Sequence, residues 1–256
     1  METNDEKIHR FRGYNRTMIA AALAKSNRRY EGIPAKLILC SIFDSLSIAA
    51  FPKEKEVGKR YRDTIAVHSG WIDHDRVSLL QLCHVLDRLG SNIPQTFSQL
   101  HNWANSEKNR RFPISHSLGS GEKFLSTDPT YQEVLNEWPH QSSGSPEKLD
   151  RRSPDQFTHR NLLWMYRNKL AHEFRTPGAG VEFSFRLEFK PYYTVQSEVD
   201  INPVVGLSFL NQQWEPIYPV GLFVELAKNS LESICNQYKK EGTSPFLSYQ
   251  ESSSWL

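Results

Sequence analysis

Apolar residues recur along the first part of the chain at intervals of three and four, the period of a helix with one buried face. Between residues 16 and 30, Met18, Ile19, Ala22 and Leu23 keep this spacing and predict a short first helix behind a polar lead-in. Gly32-Ile33-Pro34 reads as a break. Leu37 to Phe51 then carries apolar side chains almost all round, the pattern of a central helix enclosed by neighbours, and Pro52 stops it. Val57, Tyr61, Ile65 and Ala66 mark an amphipathic helix within residues 53–71. Val77, Leu79, Leu80, Leu82, Val85, Leu86 and Leu89 mark another within 75–90, closed by Gly90.

From Ser91 to Asp155 the pattern fades into prolines, serines and glycines, with short helices predicted near 95–106 and 129–138 and the most loop-like stretch between Pro139 and Pro154. Helical spacing returns over Gln156 to Phe174 and ends before Pro177-Gly178. The period then changes to two. Val181, Phe183, Phe185, Leu187 and Phe189 alternate with polar residues, and residues 192–201, 204–210 and 212–218 continue in that manner, predicting three or four antiparallel strands. Pro219 to Lys240 reverts to helix. The fold class expected is therefore mainly α, a helical bundle with a small antiparallel β insertion at about 181–216 before the last helix, in one domain spanning 1–256.

The chain has 256 residues, and 31 Lys+Arg against 29 Asp+Glu leave a net charge of +2, which excludes a grip on nucleic acid by overall charge alone. Basic clusters remain at Arg10/Arg12/Arg16, Lys25/Arg28/Arg29, Lys53/Lys55/Lys59/Arg60/Arg62, Lys108/Arg110/Arg111 and Arg151/Arg152. Each is either a stretch of an RNA path or a solvated face. Cys40, Cys83 and Cys235 lie far apart in no Cys-x-x-Cys pair, so a cytoplasmic setting is expected. A charged N-terminus and an apolar run interrupted by Asp44 and shorter than about 20 residues predict no signal peptide and no membrane span. Gly119-Ser120-Gly121-Glu122-Lys123 lacks the spacing of a phosphate-cradling loop.

The residues richest in chemistry are Arg167, Asn168 and His172, near the end of an otherwise apolar-faced helix. At about 100° per residue Asn168 and His172 are i,i+4 neighbours, with Arg167 roughly 100° round from Asn168. A guanidinium suits a phosphate, and an imidazole with an ordinary pKa near 6.5 suits proton transfer. Cleavage of RNA by its own 2′-hydroxyl needs both, and it needs no metal and no cofactor. Asp44, an acid inside the most apolar helix, must be paired or neutralised; it either orients Arg167 or His172 from the facing helix or makes a packing contact. Glu173 is a second supporting carboxylate. In the purely structural alternative, Arg167 and His172 cap helix carbonyls and pair with Glu173.

The run Arg167-Asn168-Lys169-Leu170-Ala171-His172 resembles the hallmark of the HEPN (higher eukaryotes and prokaryotes nucleotide-binding) superfamily: Arg, a polar residue, a short spacer and His. The resemblance implies a helical bundle that forms a homodimer, with two motifs facing each other across a composite cleft. It implies a metal-independent ribonuclease acting on RNA as a toxin or phage-defence effector, with a possible antitoxin or regulatory protein as partner. Arg167 would bind phosphate, His172 would act as acid and base, and Asn168 would orient them. Members modified on a Tyr two residues after the His differ from this chain, which has Phe174 there. Other members are non-catalytic modules that bind nucleotide, RNA or protein, and an adaptor working through the β insertion is a third class.

His68, His74 and Asp75 invite a metal reading but fit a polar turn better. Cys83 reads as a small buried hydrophobe. The Phe183/Phe185/Phe189 stripe reads as sheet core or dimer contact, and Trp214, Tyr218 and Phe223 as packing between sheet and last helix.

Overall fold

The computed structural model describes residues 2–25, 32–114, 122–175, 177, 190–202 and 206–248. Among these the chain is mainly α-helical, with a small three-stranded antiparallel sheet. The helices are α1 (Asn4–Lys25), α2 (Gly32–Ala50), α3 (Val57–His68), α4 (Leu79–Leu89), α5 (Ser98–Arg111), α6 (Tyr131–Glu137), α7 (His159–Glu173) and α8 (Val220–Glu241). The strands are β1 (Lys123–Phe124), β2 (Tyr192–Asn202) and β3 (Gly206–Ile217), in the order β1-β2-β3.

α1 begins twelve residues before the predicted start, because the polar lead-in is itself helical. Thr3 caps it: its hydroxyl accepts from the Glu6 amide at 3.3 Å while the Glu6 carboxylate accepts from the Thr3 amide at 2.7 Å. Ile8, Phe11, Asn15, Ile19 and Ala22 form its buried stripe. Gly32-Ile33-Pro34 is not a break either. It forms the first turn of α2, where an amide would have no intrahelical acceptor and proline does no harm.

α2 packs on α1, α3, α7 and α8, which explains why its apolar residues are not confined to one side. α2 has 19 residues and contains an 18-residue stretch of mean hydropathy 1.6, enough by length and composition to cross a membrane, but half of that stretch is buried against the protein, as befits an enclosed core helix. A lysine is also buried on it. Lys36 Nζ donates to the Tyr166 hydroxyl of α7 at 3.0 Å and lies over the rings of Tyr166 and Phe223, 5.4 and 5.8 Å from their centroids.

The predicted helix near 95–106 is α5, preceded by a turn of 3-10 helix at Gln95–Phe97, and that near 129–138 is α6, begun by a Thr130/Glu133 capping box. The Pro139–Pro154 stretch is irregular but knitted, with Trp138 Nε1 donating to the Glu147 carbonyl at 2.8 Å and Leu149 buried. β2 and β3 pair antiparallel from Tyr192↔Ile217 to Asn202↔Gly206, with a register shift between Gln196 and Glu198. The two strands predicted at 204–210 and 212–218 are thus, over their described residues 206–217, the single strand β3. Pro216 is tolerated in β3 because, among the described residues, that strand lies at the edge of the sheet. β1 comes from the loop-rich part and pairs with β2 through Lys123↔Tyr193 and Phe124↔Tyr192. The strand predicted at 181–189, with its Phe183/Phe185/Phe189 stripe, lies outside the described residues. Tyr218 and Phe223 meet through Tyr166, each ring 5.7 Å from it, whereas Trp214 packs on Phe112, 6.1 Å away at the end of α5.

Candidate functional site

α7 carries the motif, and its first residue is fixed by a buried polar cluster. His159 Nε2 lies 2.8 Å from Asp128 Oδ2, and His159 Nδ1 lies 2.8 Å from the Tyr218 hydroxyl. The Tyr193 hydroxyl donates to Asp128 Oδ2 at 2.5 Å and lies 3.1 Å from Ser78 Oγ, while the Leu79 amide donates to Asp128 Oδ1 at 3.0 Å. Burial holds the Tyr193 and Tyr218 phenols well above their ordinary range, so both keep their protons. One proton arrangement satisfies the cluster. Asp128 accepts three bonds, His159 donates from Nε2 and accepts at Nδ1 from Tyr218, and Ser78 donates to the Tyr193 oxygen. All five side chains are buried, so the cluster is out of a substrate's reach. It joins α4, α7, the sheet and the loop before α6.

Further along α7, Leu163, Tyr166 and Leu170 face the core and Arg167 turns toward α2. Its Nε donates to Asp44 Oδ2 at 3.0 Å, its Nη2 donates to the same oxygen, and its Nη1 donates to Asn168 Oδ1 at 3.2 Å. The Trp164 ring lies beneath the guanidinium, 5.3 Å from its centre. Trp164 in turn lies tilted against Tyr61, ring centroids 5.3 Å apart, and sits against Gly58 of α3, where a Cβ would fall 3.0 Å from the indole and 2.9 Å from Arg62 Nη1. This glycine sets how closely α3 and α7 approach.

The Asp44 and Arg167 side chains are 19% and 21% exposed, so the pair stands at the rim of the core. Burial raises the Asp44 pKa, and the hydrogen bonds and charge of Arg167, with the charge of Arg60, oppose that rise. Asp44 Oδ1 is buried without a hydrogen-bond partner. Among the described residues three of the five guanidinium N–H groups are engaged, which leaves one on each Nη. The arrangement is a largely buried guanidinium at the rim of the core, aimed by a carboxylate and an amide.

The structure therefore brings together Arg167, Asn168 and Asp44 but not His172. His172 is exposed on the last turn of α7, with no hydrogen-bond partner among the described residues. Glu173 pairs with none of Arg167, Asn168 and His172: its partners are Lys169 at 3.2 Å and Arg175 at 2.5 Å. The expected capping of helix carbonyls is supplied instead by the backbone. Phe174 adopts a left-handed conformation (φ 53°, ψ 30°) and its amide donates to the Leu170 carbonyl.

The other candidates resolve quietly. Among the described residues no group of three His, Cys, Asp or Glu could hold a metal ion. His68 lies 2.9 Å from Ser233 Oγ, and burial lowers the pKa of both His68 and His74. The Cys83 thiol donates to the Ala104 carbonyl at 3.5 Å, and burial pushes its pKa up to about 12, which leaves it unreactive. Most cations of the described basic clusters are matched by acids: Arg10 by Glu2, Arg12 and Arg16 by Glu232, Lys59 by Glu54 and Asp63, Arg62 by Glu56, Arg111 by Glu107 and Glu133, Arg152 by Asp150. They form neutralised faces rather than a basic track. Two concave pockets, of about 380 and 390 Å³, lie between α1 and α8 and between the 69–73 turn, Phe124 and α8; neither is lined by Arg167, Asn168 or His172.

The chain matches no protein-family model, no curated protein and no solved structure.

Proposed function

We propose that this protein is a metal-independent endoribonuclease of the HEPN type. The observation that carries the reading is the aimed guanidinium of Arg167 on the helix that, five residues later, presents His172 to solvent. In the proposed reaction a base, His172 of one copy, takes the proton of a ribose 2′-hydroxyl. The 2′-oxygen attacks the adjacent phosphorus, Arg167 stabilises the charge on the pentavalent phosphorane, and the bond to the 5′-oxygen breaks. A protonated His172 returns a proton to that oxygen. The products are a 2′,3′-cyclic phosphate on one fragment and a 5′-hydroxyl on the other.

Helix geometry favours a homodimer for this work. Five residues separate Arg167 from His172, roughly 140° of rotation and 7.5 Å of rise, so one α7 aims them apart. Two α7 helices facing each other supply an Arg167 from one copy and a His172 from the other to a single phosphate. The same divergence favours, as second reading, a non-catalytic module that binds RNA or nucleotide through Arg167.

The test incubates wild type and His172→Ala with mixed single-stranded RNA and transfer RNA in excess EDTA, reading product termini by mass. Cyclic-phosphate ends from wild type alone support the ribonuclease. Cleavage surviving in a folded His172→Ala refutes the assignment of His172, and intact RNA in both samples transfers the argument to the binding module.

A further inference from the structure

Three helices among the described residues end on a residue with positive φ, and two of these are glycines. α4 ends on Gly90 (φ 52°) and α8 on Gly242 (φ 65°, ψ 25°). α7 ends on Phe174, at φ 53° and ψ 30° in nearly the backbone conformation of Gly242. Glycine adopts this conformation without steric cost, whereas the Cβ of a phenylalanine crowds the neighbouring carbonyl. The ring recovers little by packing. Phe174 is 69% exposed, beside Arg175 and two residues past the exposed His172. A strained backbone that holds an apolar ring in water calls for a ligand at that spot.

We infer that Phe174 is a base-stacking subsite, on which an unpaired RNA base next to the cleaved phosphate rests; this deepens the ribonuclease reading and depends on it. In-line attack by the 2′-hydroxyl requires the nucleotide to leave regular helical stacking. A base so released needs a flat apolar partner, and an exposed aromatic ring provides one whatever the base. The surroundings favour a base over a protein partner. Glu173 and Arg175 flank Phe174 in the chain and Glu173 pairs with Lys169 and Arg175, so charged side chains adjoin it in sequence, and one aromatic side chain matches one base but is far from the interior of a stable protein interface.

The test measures binding of a fluorescein-labelled, mixed-sequence single-stranded RNA, and of the same sequence as a duplex, in the His172→Ala background so that the probe stays intact. Phe174→Gly is expected to weaken single-strand binding roughly 5- to 150-fold. It should leave duplex binding unchanged and the melting temperature unchanged or raised, since glycine suits the left-handed position. Phe174→Trp should restore single-strand binding. The inference is overturned if Phe174→Gly binds the single strand like its parent, or if it lowers the melting temperature or splits an oligomer, which would make the ring a structural or interface residue. Cleavage by otherwise wild-type protein, unaffected by Phe174→Gly, would sink this subsite and leave the ribonuclease standing. Absence of both binding and cleavage in the wild type would fell the ribonuclease reading and the subsite with it.

Discussion

Asp128→Asn is the most demanding test of how α7 is held. The substitution keeps the shape of the side chain but changes what it can do. Asp128 accepts from the Leu79 amide on Oδ1 and from His159 and Tyr193 on Oδ2, all buried. An asparagine that keeps its oxygen toward Leu79 turns an NH2 group toward two donors. His159 can shift its proton to Nδ1 and Tyr193 can rotate its own toward Ser78, but Tyr218 then loses its acceptor. Two hydrogen bonds to a charged group, each contributing about 1.5–3 kcal/mol, are lost and only partly replaced. The expected loss is about 3–5 kcal/mol, in the range for breaking a buried polar pair. At about 2–4 °C per kcal/mol for a chain of this size, the melting temperature should fall by about 6–20 °C. Tyr193→Phe removes one bond and leaves Asp128 two donors, so it should cost only about 1.5–3 kcal/mol. Urea unfolding followed by circular dichroism measures both. A loss in Asp128→Asn below about 1 kcal/mol, or below that in Tyr193→Phe, would refute the network and its proton arrangement.

Gly58→Ala should destabilise by about 1–3 kcal/mol, because its Cβ meets the Trp164 ring at 3.0 Å and the helices must part to admit it; calorimetry giving a melting temperature at or above wild type would show that α3 and α7 are not tightly seated there. Stability should also fall as pH drops from about 7 toward 5.5. Burial holds the folded pKa values of His68 and His74 below the ordinary imidazole value near 6.5, so the unfolded chain binds more protons in that window. The fall should reach at most about 1.4 kcal/mol per pH unit for each histidine. His68→Asn should flatten it, since the amide can still bond Ser233 but does not titrate. An unchanged slope would mean that His68 is not the group responsible. Burial raises the pKa of Asp44 and Glu215, and these two act with the opposite sign.

The helices were legible because each buries a face and so leaves a period of three and four in the sequence. The start of α1 is hidden because Ile8, Phe11 and Asn15 stand among charged residues, so that the Thr3 and Glu6 capping box is the one local sign of it. β1 is two residues long and has no period to detect. The Asp44 to Arg167 contact was foreseeable, since an acid in so apolar a helix demands a cation. That Glu173 pairs with Lys169 and Arg175 was not, because a surface carboxylate has several partners within reach and sequence does not rank them. The Asp128 cluster left no local trace: His159 bonds residues 31 and 59 positions away, and Tyr193 meets Ser78 across 115.

The placement of these features along one helix makes function separable from stability. His159 anchors the buried start of α7 and His172 stands exposed thirteen residues later, roughly 20 Å along the axis. They share no hydrogen-bond partner, and sites so far apart usually act additively, within about 0.3–0.5 kcal/mol. A change at His172 therefore removes an imidazole from solvent without touching what holds the helix. Arg167 is intermediate, because it is both the aimed cation and the partner of Asp44; removing it leaves a half-buried carboxylate unpaired. Under the proposed reaction, lost activity in Arg167→Ala would mix lost chemistry with a loosened contact between α2 and α7, whereas lost activity in a folded His172→Ala would report the imidazole's part.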